Sequence, residues 1–227
     1  MKESKVVGSM SEWSGIFKDL FRKIDDGSVT KKSLQKFLET PGFSAMINDW
    51  KKFYKDIFNL QVDFSEEPIP EADDVFFWLI CIPENFSTEQ VFSGVKQQFK
   101  TWKHTDESLD NVLDLSFGRD AKKESYIIRV KPNWEADEDL KNISANQIQT
   151  EDINTITLKE CILLHRFIYW KHKKHLDIEN VTLCSGSRYS VGDVPDVCWS
   201  SGYDRFRVSY FPPDSASPGL RARRAVS

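Results

Sequence analysis

The 227-residue chain is poor in the residues that staple or metallate a small fold. Its four cysteines, Cys81, Cys161, Cys184 and Cys198, are widely spread, with no CxxC pair and no histidine at a zinc-finger spacing from them. That excludes a zinc-ribbon or disulfide-scaffold domain. It fits buried free thiols in a reducing compartment, with Cys184–Cys198 as the pair to test. Long hydrophobic runs are also missing. The longest, Val75 to Ile82, falls far short of the roughly 20 residues that span a bilayer, so it reads as a buried strand. The opening, Met1 to Gly15, lacks the apolar core of a secretory signal peptide. The expectation is a cytoplasmic protein with no membrane span, other routes of export being left open. No GxSxG elbow, P-loop, dinucleotide glycine fingerprint or HExxH pair occurs, and no cofactor is expected. Cys184 to Arg188 reads as a tight turn rather than a nucleophile site. A net charge of −4 does not mark a nucleic-acid partner.

Two compact units, or one domain plus an appendage, fit the length. Residues 1–62 form a helical N-terminal region. Trp13, Ile16, Phe17, Leu20, Phe21 and Ile24 recur at three- and four-residue steps, on one helix face. Asp25-Asp26-Gly27-Ser28 breaks that helix without the ligand pattern of a calcium loop. Thr30 caps a second helix through Leu38, stopped by Pro41-Gly42, and a third runs from Phe43 to Leu60 with Met46, Trp50, Phe53 and Phe58. Residues 63–74, acidic and proline-containing, read as a linker.

Residues 75–227 read as an α+β unit. Ser87-Thr88-Glu89-Gln90 and Thr157-Leu158-Lys159-Glu160 are capping boxes opening helices, and Ser125 to Val130 reads as a strand. The second helix carries Leu158, Cys161, Ile162, His165, Ile168 and Tyr169 and ends in the basic cluster Lys171 to His175. His165, His172 and His175 lie near one face, but a metal centre would need a further ligand, so they read as a basic, solvated helix end. Trp102-Lys103-His104 and Phe167 to Lys174 interleave rings and cations, as nucleic-acid surfaces do; helix amphipathicity accounts for both.

Ser200 to Ser227 contains no Lys, Glu, Gln, Met or Trp, although these types supply 53 residues of the chain. The missing types have codons ending in a purine, whereas everything present can be encoded by triplets ending in a pyrimidine. Within this tail Arg205 to Phe211 alternates as a strand, with Phe206, Val208 and Tyr210 toward the core and Arg207, Ser209 and Phe211 on the other side. The flanking stretches are rich in Ser, Gly, Pro, Asp and Tyr, the composition of binding loops on a rigid frame.

Three stretches of motif carry a family likeness: Val181-Thr182-Leu183-Cys184-Ser185-Gly186-Ser187-Arg188-Tyr189-Ser190; Val194-Pro195, Trp199, Arg207-Val208 and Pro213; and the terminal Leu220-Arg221-Ala222-Arg223-Arg224-Ala225-Val226-Ser227. With Ile80 to Glu84, Glu135 to Asn142 and Ile156 to Glu160 upstream, the region from 75 to 227 resembles the variable proteins of diversity-generating retroelements from small-genome candidate-phylum bacteria. The resemblance implies a C-type-lectin-like fold with small mixed and antiparallel sheets and flanking helices. It also implies a segment of about 195–227 rewritten by a reverse transcriptase that errs at template adenines, turning AAY codons into NNY. By the same likeness the ligand-binding face would comprise Ser200, Ser201, Tyr203, Asp204, Arg205, Ser209, Phe211, Pro213, Asp214, Ser215 and Ser217; because aromatics and Arg dominate interface hot spots, Tyr203, Phe211 and Arg205 are the expected anchors. Gly186, Arg188, Trp199, Phe206, Val208, Arg221 and Arg223 would be framework. The calcium triplet of sugar-binding lectins and the copper cysteines of formylglycine-generating enzymes have no counterparts here.

The sequence therefore leads to a non-enzymatic binding protein with a diversified surface, for an unidentified ligand whose default is a protein. Two alternatives stand beside it: a nucleic-acid-binding protein using the C-terminal arginines, and a metal-dependent enzyme on a formylglycine-generating-enzyme-like fold.

Overall fold

The computed structural model describes residues 9–31, 34, 42–121 and 123–227. The second expected helix, from Thr30 through Leu38, falls mostly outside them. The chain divides into a unit Met1–Ala45 and a unit Met46–Ser227.

In the first unit, helix α1 spans Met10–Asp25. Its spacing puts Trp13, Ile16, Phe17, Phe21 and Ile24 on one face, as expected, and all five are exposed. Asp19 pairs with Arg22 and Lys23 among the charged residues between them.

The larger unit takes in most of the third expected helix. Helix α2 spans Phe43–Phe58 and buries Met46, Trp50, Phe53 and Tyr54. The Trp50 indole N–H donates to the Leu79 carbonyl at 3.0 Å and the Tyr54 hydroxyl to that of Cys81 at 2.7 Å, locking the helix to strand β1, Trp78–Ile82. Trp50 also stacks on Phe167 with ring centroids 3.9 Å apart. The compact division thus falls near residue 45, not 62. Residues 63–74 are strapped down as well: Phe64 is buried, and Arg129 donates to the carbonyls of Pro70 and Phe76. Composition shows the prolines and acids of this stretch but not its anchors.

Two sheets form the mixed α+β body. The first orders β1, β3 (Tyr126–Val130) and β8 (Ala225–Val226), all antiparallel, with β3 in the middle pairing with both. The second has five strands in the order β2 (Thr101–Lys103), β6 (Arg205–Phe211), β5 (Val194–Ser200), β4 (Val181–Leu183) and β7 (Leu220–Arg221). Trp102 and Lys103 therefore belong to an edge strand rather than an amphipathic helix. Helix α3, Thr88–Lys96, and helix α6, Leu158–His172, both begin with the expected capping boxes; two short helices lie between them, α4 (Leu109–Val112) and α5 (Ala145–Thr150).

The start of α6 is held by a buried charge network. Glu160 receives Arg119 through two bonds of 2.7 and 2.8 Å, the Tyr126 hydroxyl at 3.0 Å and the Thr157 amide at 2.7 Å. Burial alone would raise the Glu160 carboxyl, yet Arg119 holds it below its ordinary value. Removing Arg119 would leave an unpaired buried charge. Beside it, Gly186 lies so close to Thr155 that a β-carbon would meet the Thr155 carbonyl oxygen at 2.6 Å. Only glycine fits there.

Candidate functional site

The β5–β6 hairpin carries most of the candidate residues. Its register runs without a break from Val194 opposite Phe211 to Ser200 opposite Arg205. Strand alternation sorts the side chains onto two faces. One bears Val197, Trp199, Phe206 and Val208, all buried. It lies under α6: the Phe206 ring is 4.8 Å from His165, and Trp199 stacks flat on His175 with centroids 3.4 Å apart and planes 11° apart. The other face bears Asp196, Cys198 and Ser200 on β5, and Arg205, Arg207, Ser209 and Phe211 on β6.

The histidine reading is corrected here. Only His172 is solvated. Helix α6 stops at Lys173 in the left-handed conformation, which lets the chain turn back and set His175 Nδ1 3.0 Å from His165 Nε2. His165 is fully buried. Burial pushes it well below its ordinary pKa and brings His175 down to about 4, against the pull of Asp204. Both rings are neutral near pH 7, sharing one N–H···N bond under Trp199. A two-histidine pair does not make a metal centre, and no cluster of three or more such ligands occurs among the described residues.

The eleven expected site residues separate into three groups. Ser200, Ser201, Tyr203, Asp204 and Arg205 come together at the hairpin turn. Tyr203 is 71% exposed, Ser201 and Asp204 are exposed, and Ser200 and Arg205 half-buried. A 3₁₀ turn over Ser201–Tyr203 ends at Asp204 with φ +47°, a conformation asparagine and aspartate tolerate far better than branched residues. Pro213, Asp214, Ser215 and Ser217 form a second surface on the loop leaving the opposite end of β6, some 20 Å from Arg205 by strand rise. That loop is tied by the Asn146 amide to Pro213 O and rejoins the sheet where the Val181 amide bonds Gly219 O. Ser209 and Phe211 are corrections. Ser209 is only 7% exposed, and Phe211 is half-buried against Ala145, Leu183, Val194 and Leu220. Tyr210, expected in the core, is 45% exposed and sits beside His104 at 5.0 Å. The outward face is covered at its far end by α5, so there the alternation points Phe211 rather than Tyr210 into a core.

Sequence reasoning missed three participants: Trp102, Arg207 and Asp196. Trp102, on the edge strand, spreads its ring over two cations, with Arg205 Cζ at 5.5 Å and Arg207 Cζ at 5.9 Å from its centroid. Arg205 Cζ also lies 4.6 Å from the Tyr203 ring, so two aromatic rings approach it. Asp196 is the third. It is fully buried, its two oxygens lack hydrogen bonds, and its nearest cation is Arg207 Nη1 at 3.3 Å. Burial pushes its carboxyl up to about 7, with Arg207 opposing. No motif signals a lone Asp in a strand.

The terminal arginines are engaged elsewhere. Arg221 pairs with Glu138 at 2.6 Å, the buried Arg223 with Asp177 at 3.2 Å, and Arg224 with Asp139 at 3.8 Å. All four cysteines are unpaired and buried, Cys184 and Cys198 included. A cleft of about 900 Å³ opens between the end of α2 and the start of α3, lined in part by Asp56, Glu84, Glu89 and Asp110. Asp110 already caps the α3 amides of Thr88 and Glu89, and none of the expected site residues lines this cleft. No described helix is long and apolar enough to cross a membrane. Comparison of the chain with protein-family models, with curated proteins and with solved structures finds no match.

Proposed function

We propose that this protein is a non-enzymatic binding protein, a variable protein of a diversity-generating retroelement. Its recognition surface would be centred on the β5–β6 turn of a C-type-lectin-like scaffold, with a protein as its ligand. One observation carries the reading. Tyr203 stands on a turn whose two flanking strand residues, Trp199 and Phe206, are buried under α6. The strands are ordered by folding itself, so an exposed aromatic on the turn meets a ligand with little further entropy to lose. Tyrosine and arginine are also the side chains that dominate interface energetics. The vocabulary of the last 28 residues, all encodable by pyrimidine-ending codons, is the second support.

Of the five tail arginines that the nucleic-acid alternative would use, Arg221, Arg223 and Arg224 already face carboxylates, which leaves Arg205 and Arg207. Displaced titrations at Glu160 and Asp196 belong to buried groups beneath the surface.

Sequencing the gene across many cells of its source population tests the reading. Substitutions should concentrate at Ser201, Tyr203, Arg205, Asp214, Ser215 and Ser217 and spare Trp199, Phe206 and Val208. The flanking DNA should carry a near-repeat of codons 195–227 that differs at adenines, beside a reverse-transcriptase gene. An invariant tail with no such repeat would remove the proposal.

A further inference from the structure

The geometry points to the ligand's chemistry: we infer that the β5–β6 turn captures a carboxylate-bearing segment of a partner protein, an acidic side chain seated on Arg205 and Arg207 between the rings of Trp102 and Tyr203. This rests on the recognition reading above and narrows it.

Four observations lead there. Arg205 has no carboxylate within ion-pair distance among the described residues. Its Nε is buried without a hydrogen-bond partner, and its Cζ lies 4.6 Å from the Tyr203 ring and 5.5 Å from the Trp102 ring. A guanidinium held in this way is ready to present its remaining N–H fork to a planar two-oxygen acceptor. Arg207, one step along the same face, lies under the same indole, with a side chain about a quarter exposed. Its Nη1 lies 3.3 Å from Asp196, outside hydrogen-bond geometry, and donates to Cys198 Sγ at 3.8 Å, while its Nε and Nη2 carry no hydrogen bond among the described residues. The exposed rings supply apolar contact beside the charge, with Tyr203 71% and Trp102 37% exposed. The rim thus combines aromatic and arginine side chains, the types that anchor protein interfaces.

The same surroundings select a carboxylate over a phosphate. Asp204 is exposed beside Arg205, and Asp196 lies beneath Arg207. Two guanidiniums beside the exposed Asp204 carboxylate, with the Asp196 carboxyl buried and raised to about 7, leave about one net positive charge, which a carboxylate balances and a dianion exceeds. A polyanion such as a nucleic acid also meets the long-range field of a chain of net charge −4.

The test is a displayed random-peptide library panned on the purified full-length chain, followed by a second panning of the binders against Y203A/R205A. Melting curves of both proteins establish that the double variant is folded. Peptides retained by the native chain and lost on the variant should be enriched in Asp or Glu. For one synthesised binder, Arg205→Ala should weaken Kd at least tenfold and Arg207→Ala severalfold. Changing the peptide's acid to the corresponding amide should reproduce the Arg205→Ala loss. Arg205→Lys should recover only part of it, because a lysine keeps the charge but not the planar fork. Binders that need Tyr203 yet carry no acid would overturn this inference and leave the recognition reading standing. A library whose binders are all indifferent to the double variant would overturn both.

Discussion

The two faces of the five-stranded sheet are written by alternate residues of the same strands, and they have opposite chemistry. Under α6 the sheet presents Val197, Trp199, Phe206 and Val208, closed over by His165 and His175. On the reverse it presents Asp196, Cys198, Arg205 and Arg207, with the Tyr203 turn at one end and Phe211 under α5 at the other. The first face is a fitted core and should not tolerate change. The second keeps a buried acid without hydrogen bonds and a cation held only by rings, features that folding alone does not require. The difference separates the face that holds the fold together from the face on which the recognition proposal rests.

The largest expected effect lies on the core face. Phe206→Ala should cost about 3–5 kcal/mol in urea unfolding, since it empties a fully buried site. A near-neutral value would reverse the assignment of the faces.

The outward face should behave differently even where it is buried. The Asp196 carboxyl is raised in the folded protein to about 7, above its unfolded value of 3.8. The folded state therefore binds more protons between those values, and stability falls as pH rises from about 4 through about 7. Asp196→Asn should remove that fall. It should leave stability near pH 4 almost unchanged and raise it at pH 8 by up to about 4 kcal/mol. Chemical denaturation at both pH values measures this. A variant destabilised at pH 8 would show instead that the Arg207 pair stabilises the fold.

Smaller effects belong to the turn. Asp204→Val should cost about 1 kcal/mol because φ is +47° there, while Asp204→Gly should be close to neutral. Equal tolerance of both would indicate that the turn is not held in this form. Smallest of all, Tyr203→Ala combined with Arg205→Ala should change unfolding free energy by no more than about 0.5 kcal/mol, as for ordinary surface sites. A loss approaching that of Phe206→Ala would erase the contrast between the faces.

Much of the architecture is legible in the sequence because its signals are local. Both capping boxes close as read, Ser87 with Gln90 and Thr157 with Glu160. The period of Met46, Trp50 and Phe53 marks a buried face. What covers a face is not local. Trp13, Ile16, Phe17 and Phe21 share the same kind of period but stay exposed, and no pattern within α1 distinguishes the two helices. The alternation of β6 identifies Phe206 and Val208 correctly and fails at Ser209, Tyr210 and Phe211, where helix α5 covers the opposite side. The His165–His175 pair required a turn at Lys173 that helical spacing does not encode. Of the candidate site, composition showed only that Ser200–Asp204 is a loop, and its residues came from the family likeness. Trp102, brought alongside by parallel pairing of a distant strand, was not readable.

The most direct measurement is saturation mutagenesis of residues 194–221, read out by protease resistance of the displayed chain. The account predicts broad tolerance at Ser201, Tyr203 and Arg205, restriction at Asp204 to residues that accept positive φ, and near-complete intolerance at Trp199, Phe206 and Val208. Tyr203 and Arg205 proving as intolerant as Phe206 would contradict it.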